Sequence, residues 1–438
     1  MLPEGIQPAT VRVRDGRIAG IGPYHDSPAN VPELDAGSLV VFPGFVDTHV
    51  HINDPGREDW EGFEHATRAA AAGGITTLVD MPLNSIPPTT TVAALHAKRR
   101  AAAGRCHVDV GYWGGVVPGN AGELEALARA GVLGFKCFLC PSGVDEFAHI
   151  GAADLRQALP VLTKLHLPLL VHAELPSFIR DAAVTRDGAR ADVRSYRNWL
   201  DSRPPAAEQA AIDLLIALAR EHHARVHVVH LASADALPAI ERGRADGVDI
   251  TVETCPHYLT FAAEDIDDGR TAFKCAPPIR DRNHRERLWK GLLDGGIDFI
   301  ASDHSPAPAA LKRIEDGDFV RAWGGIASLQ IAPSIVWTSA AARGVRVERL
   351  ATWMAKAPAR LAGIGDTKGT IVKGRDADFV VWDPDAEFTV SAQTLYHRHR
   401  VTPYDGARLR GRVRTTILRG DVIVDDGACV GPALGRSI

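Results

Sequence analysis

Residues 44–51 read Gly44-Phe45-Val46-Asp47-Thr48-His49-Val50-His51. The apolar and β-branched residues mark a short buried strand. The two histidines stand two apart, so an extended chain projects both imidazoles to one side. Seven runs of the same character follow, at 76–81, 107–113, 133–139, 167–173, 225–231, 248–253 and 298–303. Ala- and Leu-rich helical stretches lie between most of them, among them 62–72, 123–130, 152–164, 205–222 and 234–244. Eight strands alternating with helices over about 300 residues have the count and size of an α/β chain folded as a (β/α)8 barrel of the TIM type. A doubly wound open sheet produces the same alternation, so the pattern alone leaves both architectures open.

The ends differ from this middle. Residues 11–14 alternate, Asp15-Gly16 makes a turn, and 18–21 resume as a strand. Near the other end 378–382, 413–418 and 422–424 read as strands, with the turn Arg419-Gly420-Asp421 between the last two. Two β-rich ends flanking a different middle predict a small β-sandwich domain built from both termini. The expected division is 1–42 and 370–438 for the sandwich and 43–369 for the barrel.

Composition narrows the function classes. Of 438 residues, 45% are hydrophobic and 24% charged, an ordinary globular balance that excludes a disordered or fibrous chain. The 49 basic and 54 acidic residues are mixed along the chain, and the net charge of -5 gives no basic tract for nucleic acid or a membrane surface. No run of about 18 apolar residues suggests a membrane span, and no basic region followed by an apolar one suggests a signal peptide. Cysteines stand at 106, 137, 140, 255, 275 and 429, too few for a disulfide scaffold. Cys137 and Cys140 have a CxxC spacing without a second pair, so they read as packing. A cytoplasmic protein is the expectation.

The histidines are placed rather than scattered. His49 and His51 close the first strand, His172 the fifth and His230 the sixth, while Asp303 closes the eighth and Lys136 lies in the fourth. In a barrel the C-terminal strand ends ring one mouth, where catalytic groups gather. Imidazoles suit zinc and similar divalent ions, and a carboxylate adds a ligand. Four histidines and an aspartate exceed the needs of one tetrahedral ion, which favours two metals sharing a bridging water. Lys136 as an ammonium would repel them. If its amine adds carbon dioxide, the carbamate is an anion whose two oxygens can bridge. Most other histidines fall on helices, strand starts or polar loops. For His257, after the seventh strand, a structural role is expected; His304, next to Asp303, is a candidate contact with the site.

The stretch Phe42-Pro43-Gly44-Phe45-Val46-Asp47-Thr48-His49-Val50-His51 resembles the entry motif of the amidohydrolase superfamily, in its cyclic-amidase branch. Within that branch, 51–57 (HINDPGR), 80–88 (DMPLNSIPP), 134–139 (GFKCFL) and 322–326 (AWGGI) are similar to the allantoinases. The resemblance covers nearly the whole chain. It implies a barrel with two divalent ions, usually zinc and in some members manganese, cobalt or nickel. His49, His51 and Asp303 would hold the first, His172 and His230 the second, and Lys136, carboxylated on its amine, would bridge them.

The implied reaction is hydrolysis of the hydantoin ring of allantoin to allantoate in purine breakdown, with Asp303 as proton carrier. Backbone groups of Gly324-Gly325 and of the Cys275-Ala276-Pro277-Pro278 turn match loops that hold cyclic ureides in relatives, and Asn84 is a candidate amide contact. A small uncharged ureide suits the near-neutral charge, and a homo-oligomer, commonly a tetramer, is implied by the resemblance. Dihydroorotases carry an arginine two residues after the HxH pair, where this chain has Asn53. Dihydropyrimidinases carry a tyrosine about five residues beyond the bridging lysine, where this chain has Pro141. A hydantoinase or dihydropyrimidinase is the alternative enzyme. A non-catalytic assembly protein on this fold is a further alternative, opposed by the six filled ligand positions.

Overall fold

The opening stretch folds as the strand Phe45–Val50, buried along its whole length. The computed structural model describes residues 1–24, 26, 30–184, 188 and 191–438. Seven more barrel strands follow: Ile75–Asp80, Asp109–Tyr112, Phe135–Phe138, Leu169–His172, Val226–Val228, Ile250–Thr254 and Phe299–Ile300. Neighbours pair in parallel. The third and fourth are joined through Gly114–Gly115, which pairs with Phe135 and Lys136. The ring closes where His304, beyond the eighth strand, bridges Val50 in parallel and accepts the His51 amide at 2.9 Å. Closure removes the open-sheet alternative, because it leaves no sheet edge.

Two expected strands are shorter than their apolar runs. Pairing stops at Val228 in the sixth and at Ile300 in the eighth. Past the eighth, the Ser302 amide turns to the Asp47 carboxylate at 3.2 Å. His230 and Asp303 then take left-handed backbone angles, φ 40° and 45°. Such angles are uncommon outside glycine, although Asp and His adopt them more readily than most residues, and they gather at functional positions. Both residues therefore stand on the turn out of the strand, not within it.

Helices cover the barrel. Ala152–Leu165 shows why: Leu155, Ala158, Leu159 and Leu162 recur at helical spacing and are all buried. Gly44 admits the first strand against its neighbour, since a Cβ there would lie 2.1 Å from Thr76 Oγ1.

The termini form the sandwich. An antiparallel sheet runs in the order Ala428–Cys429, Asp421–Asp425, Arg408–Leu418, Phe379–Thr389 and Val40–Pro43, so residues from both ends share it. The hairpin Thr10–Arg14 and Arg17–Gly22 forms the second layer. Ile18 and Val11 from the hairpin pack against Phe379 and Val41 of the sheet. An ionic seam fastens the sandwich to the barrel. Buried Lys368 Nζ meets Asp109 at 2.6 Å, Asp378 at 2.7 Å and Asp376 at 3.0 Å. Removing one partner of a buried ion cluster leaves uncompensated charge, so Lys368→Met is expected to destabilise the fold by about 3–5 kcal/mol, measurable by urea unfolding.

Candidate active site at the barrel mouth

The strand ends bring the six residues together. His49 Nε2 lies 3.2 Å from Asp303 Oδ1, and His51 Nε2 lies 3.5 Å from the same oxygen. On the other side His172 Nδ1 faces His230 Nε2 at 3.0 Å. The His49 and His230 rings, 5.4 Å apart, join the two groups. Lys136 is fully buried, its Nζ has no hydrogen-bond partner, and it lies 4.5 Å from the centre of the Phe138 ring.

The outer nitrogens of two of these imidazoles are engaged by carboxylates. His49 Nδ1 meets Glu253 Oε1 at 2.5 Å, and His172 Nε2 meets Glu174 Oε2 at 2.7 Å. Arg203 donates in turn to Glu174 at 2.6 Å, while Glu253 also meets His227 at 3.1 Å. An outer N–H committed to a carboxylate leaves the inner nitrogen with its lone pair toward the mouth, the arrangement that orients metal-binding histidines. Glu253→Ala is accordingly expected to lower metal affinity about 10- to 100-fold, read by competition with a chelator.

Burial and neighbouring charge set the protonation states. Burial holds His172 at about 4. Burial, with help from His172, Lys136 and His49, pushes His230 well below its usual range. Burial opposes the Asp303 carboxylate, but His49 and His51 hold it below the ordinary range. Burial lowers Lys136 to about 8. Burial opposes a charge on His49, but the Asp303 and Glu253 carboxylates raise it above the ordinary imidazole range. Imidazoles, an ionised carboxylate and a buried amine without a partner are the donor set that two divalent ions and a carbamate would satisfy. The residues fit that group.

Asn84 Nδ2 lies 3.4 Å from His51 Nδ1, and the Asn84 backbone carbonyl accepts from Arg57 at 2.8 Å. Cys275, Ala276 and Gly324 form one wall: a Cβ on Gly324 would lie 3.9 Å from Ala276 N and from the Cys275 carbonyl carbon. Two buried lysines brace that wall. Lys312 donates to the carbonyls of Lys274, Trp323 and Gly325, and Lys274 to those of Val320 and Ala322. Trp60 and Trp323 meet across the rim, 4.8 Å between ring centres. Asn53 is buried, and neither of its amide atoms has a partner.

His304 is committed to structure. Its Nε2 meets Glu61 at 3.3 Å, and its Nδ1 accepts from the Ser328 and Leu329 amides at 3.2 and 3.3 Å. His257, for which a structural role was expected, is fully buried, with both ring nitrogens unpartnered and one of them within 4.8 Å of an Asp303 oxygen. Burial lowers its imidazole to about 4. The residues that sequence reasoning missed are Glu253 and Glu174. Their signals were an acidic residue ending an apolar strand run and a His172-x-Glu174 spacing. Arg203 donates to the buried Cys140 sulfur at 3.5 Å.

The model of the Amidohydrolase family matches residues 40–423. The chain is 51% identical over 432 residues to an allantoinase of Streptomyces avermitilis, covering 98% of this chain and 95% of that protein. It is 44% identical to an allantoinase of Arabidopsis thaliana, covering 99% of this chain and 88% of that protein. Among solved structures, the L-hydantoinase (dihydropyrimidinase) of Arthrobacter aurescens superposes with a TM-score of 0.94 at 31% identity, covering 99% of this chain and 96% of that one.

Proposed function

The chain belongs to the amidohydrolase family, and on that premise we propose that it hydrolyses the ring amide of allantoin to give allantoate. It is a hydrolase acting on C–N bonds of cyclic amides. The observation that carries the reading is the convergence of His49, His51, Lys136, His172, His230 and Asp303 at one mouth, in a chain so similar to curated allantoinases.

His49, His51 and Asp303 would hold one divalent ion and His172 and His230 a second, zinc by family resemblance, with carboxylated Lys136 between them; when bound, the pair supplies an acidified water and a polarised ring carbonyl. The Lys136 carbamate is supported by burial, which makes the neutral amine accessible near neutral pH. That amine adds carbon dioxide and releases a proton. Asp303 accepts the proton of the attacking water on its carboxylate and returns it to the leaving ring nitrogen. Its depressed pKa ensures that it starts ionised. Glu253 and Glu174 keep His49 and His172 in the tautomers that face inward. Asn84 and the backbone of Cys275, Ala276 and Gly324 are assigned to the ureide, supported by the adjacency of the two loops.

The likeness to an L-hydantoinase favours a second reading, a hydantoinase or dihydropyrimidinase on the same chemistry. Turnover of allantoin, hydantoin and dihydrouracil separates the two. Allantoin is expected to have the highest kcat/KM; a preference for hydantoin of about tenfold, some 1.4 kcal/mol in transition-state binding, would reverse the assignment.

No helix among the described residues is long and apolar enough to cross a membrane. We place the enzyme in the cytoplasm as a homotetramer; its free cysteines suit a reducing compartment, and the assembly rests on family resemblance.

A further inference from the structure

His257 stands outside the mechanism above. It lies in the short helix Pro256–Thr260, directly after the seventh barrel strand. One ring nitrogen, a carboxylate oxygen of Asp303 and the Cys255 sulfur all lie within 4.8 Å of one another. The ring is set edge-on to Tyr258, with centres 4.2 Å apart. Tyr258 is itself pinned, its hydroxyl donating to the Pro277 carbonyl at 2.6 Å. The imidazole is thus held beside Asp303, yet neither nitrogen is bonded.

A neutral imidazole has one donor and one acceptor, and burying either without its bond is destabilising. Folded proteins rarely leave such groups unpaired. Cys255 does not supply the bond, because a thiol is weak in both roles. Asp303 is not bonded directly. However, two hydrogen bonds of about 2.8 Å meeting at one shared atom at a tetrahedral angle span about 4.6 Å, the scale of this gap. A separation of that scale suits one polar atom held by both. In the mechanism above, the ring nitrogen receives its proton at Asp303.

We infer that His257 is a substrate-contacting residue whose imidazole hydrogen-bonds the scissile ring amide of the ureide and seats the departing nitrogen beside Asp303. The inference rests on the proton-carrying role of Asp303 proposed above. The proton that reaches the nitrogen comes from Asp303; His257 only holds the group and ends the cycle unchanged.

The test uses the metal-loaded full-length enzyme, with metal content, melting temperature, kcat and KM measured on its fastest substrate among allantoin, hydantoin and dihydrouracil. His257→Phe removes both polar atoms at similar volume. It is expected to keep two ions per chain and to lose about 100-fold or more in kcat/KM, the scale of one well-placed hydrogen bond in a closed site. His257→Gln keeps a donor and an acceptor and is expected to recover about tenfold of that loss. If the phenylalanine variant does not fold, His257→Leu takes its place with the same expectation.

A kcat/KM within about threefold of the parent overturns the inference. So does an equal fall in the glutamine and phenylalanine variants, and so does a loss that tracks departure of metal, which would make His257 structural. A parent inactive on all three rings overturns this inference and the proposed function together. An active parent whose variants are unaffected overturns the role of His257 alone.

Discussion

Lys136→Ala is expected to abolish the two-metal site and to lower kcat/KM by at least about 1,000-fold. Lys136 is fully buried, and its Nζ has no hydrogen-bond partner. A buried ammonium without a partner is among the costliest arrangements in a protein. Four imidazoles and a carboxylate gather at the same mouth, a donor set suited to binding cations rather than displaying one. Conversion to a carbamate inverts the charge and supplies two oxygens, which turns that liability into a ligand. Alanine removes both oxygens, leaving the His172–His230 pair too poor in negative charge to hold an ion well. Metal analysis should find fewer than two ions per chain, with activity lost in parallel. Normal metal content with strong residual turnover would remove Lys136 from the site's chemistry. Isotopically labelled bicarbonate supplies a direct check on the parent enzyme, since only a carbamate places the labelled carbon on Lys136.

Asp303→Asn should retain the shape of the mouth and lose about 1,000-fold in kcat, within the range of about 100- to 10,000-fold for positioned proton transfer. The carboxamide fills the same space but cannot accept the water's proton or pass it on. His49 and His51 face Asp303 Oδ1 at 3.2 and 3.5 Å, so the substitution also removes a negative charge from that ion's surroundings. Assays at saturating metal separate the two effects. If kcat stays within about tenfold of the parent once metal is saturating, the proton passes through another group.

Much of this architecture is legible in the residues alone. Parallel barrel strands are buried on both faces, so they stand out as continuous apolar runs such as Leu169–His172. The proposed ligands are legible because they lie in those runs or close them. The sixth and eighth strands were shorter than expected because His230 and Asp303 need a turn in the backbone, which apolar periodicity does not register. Glu253 escaped because its partner His49 lies 204 positions earlier, and only closure of the barrel brings the two side chains together. His304 looked like a site residue by adjacency, but its ring turns to Glu61 and to the Ser328 and Leu329 amides. His257 is the reverse case. Nothing in Cys255-Pro256-His257-Tyr258 tells that the ring is held toward Asp303 without a partner.

The most direct test of the central claim is one titration: remove metal with a chelator, restore it stepwise, and follow bound ions per chain together with allantoate formed from allantoin. Activity should disappear with the metal and return to a maximum only as the second ion binds. Hydrolysis that persists without metal, or full occupancy by two ions with allantoin untouched, would contradict the account.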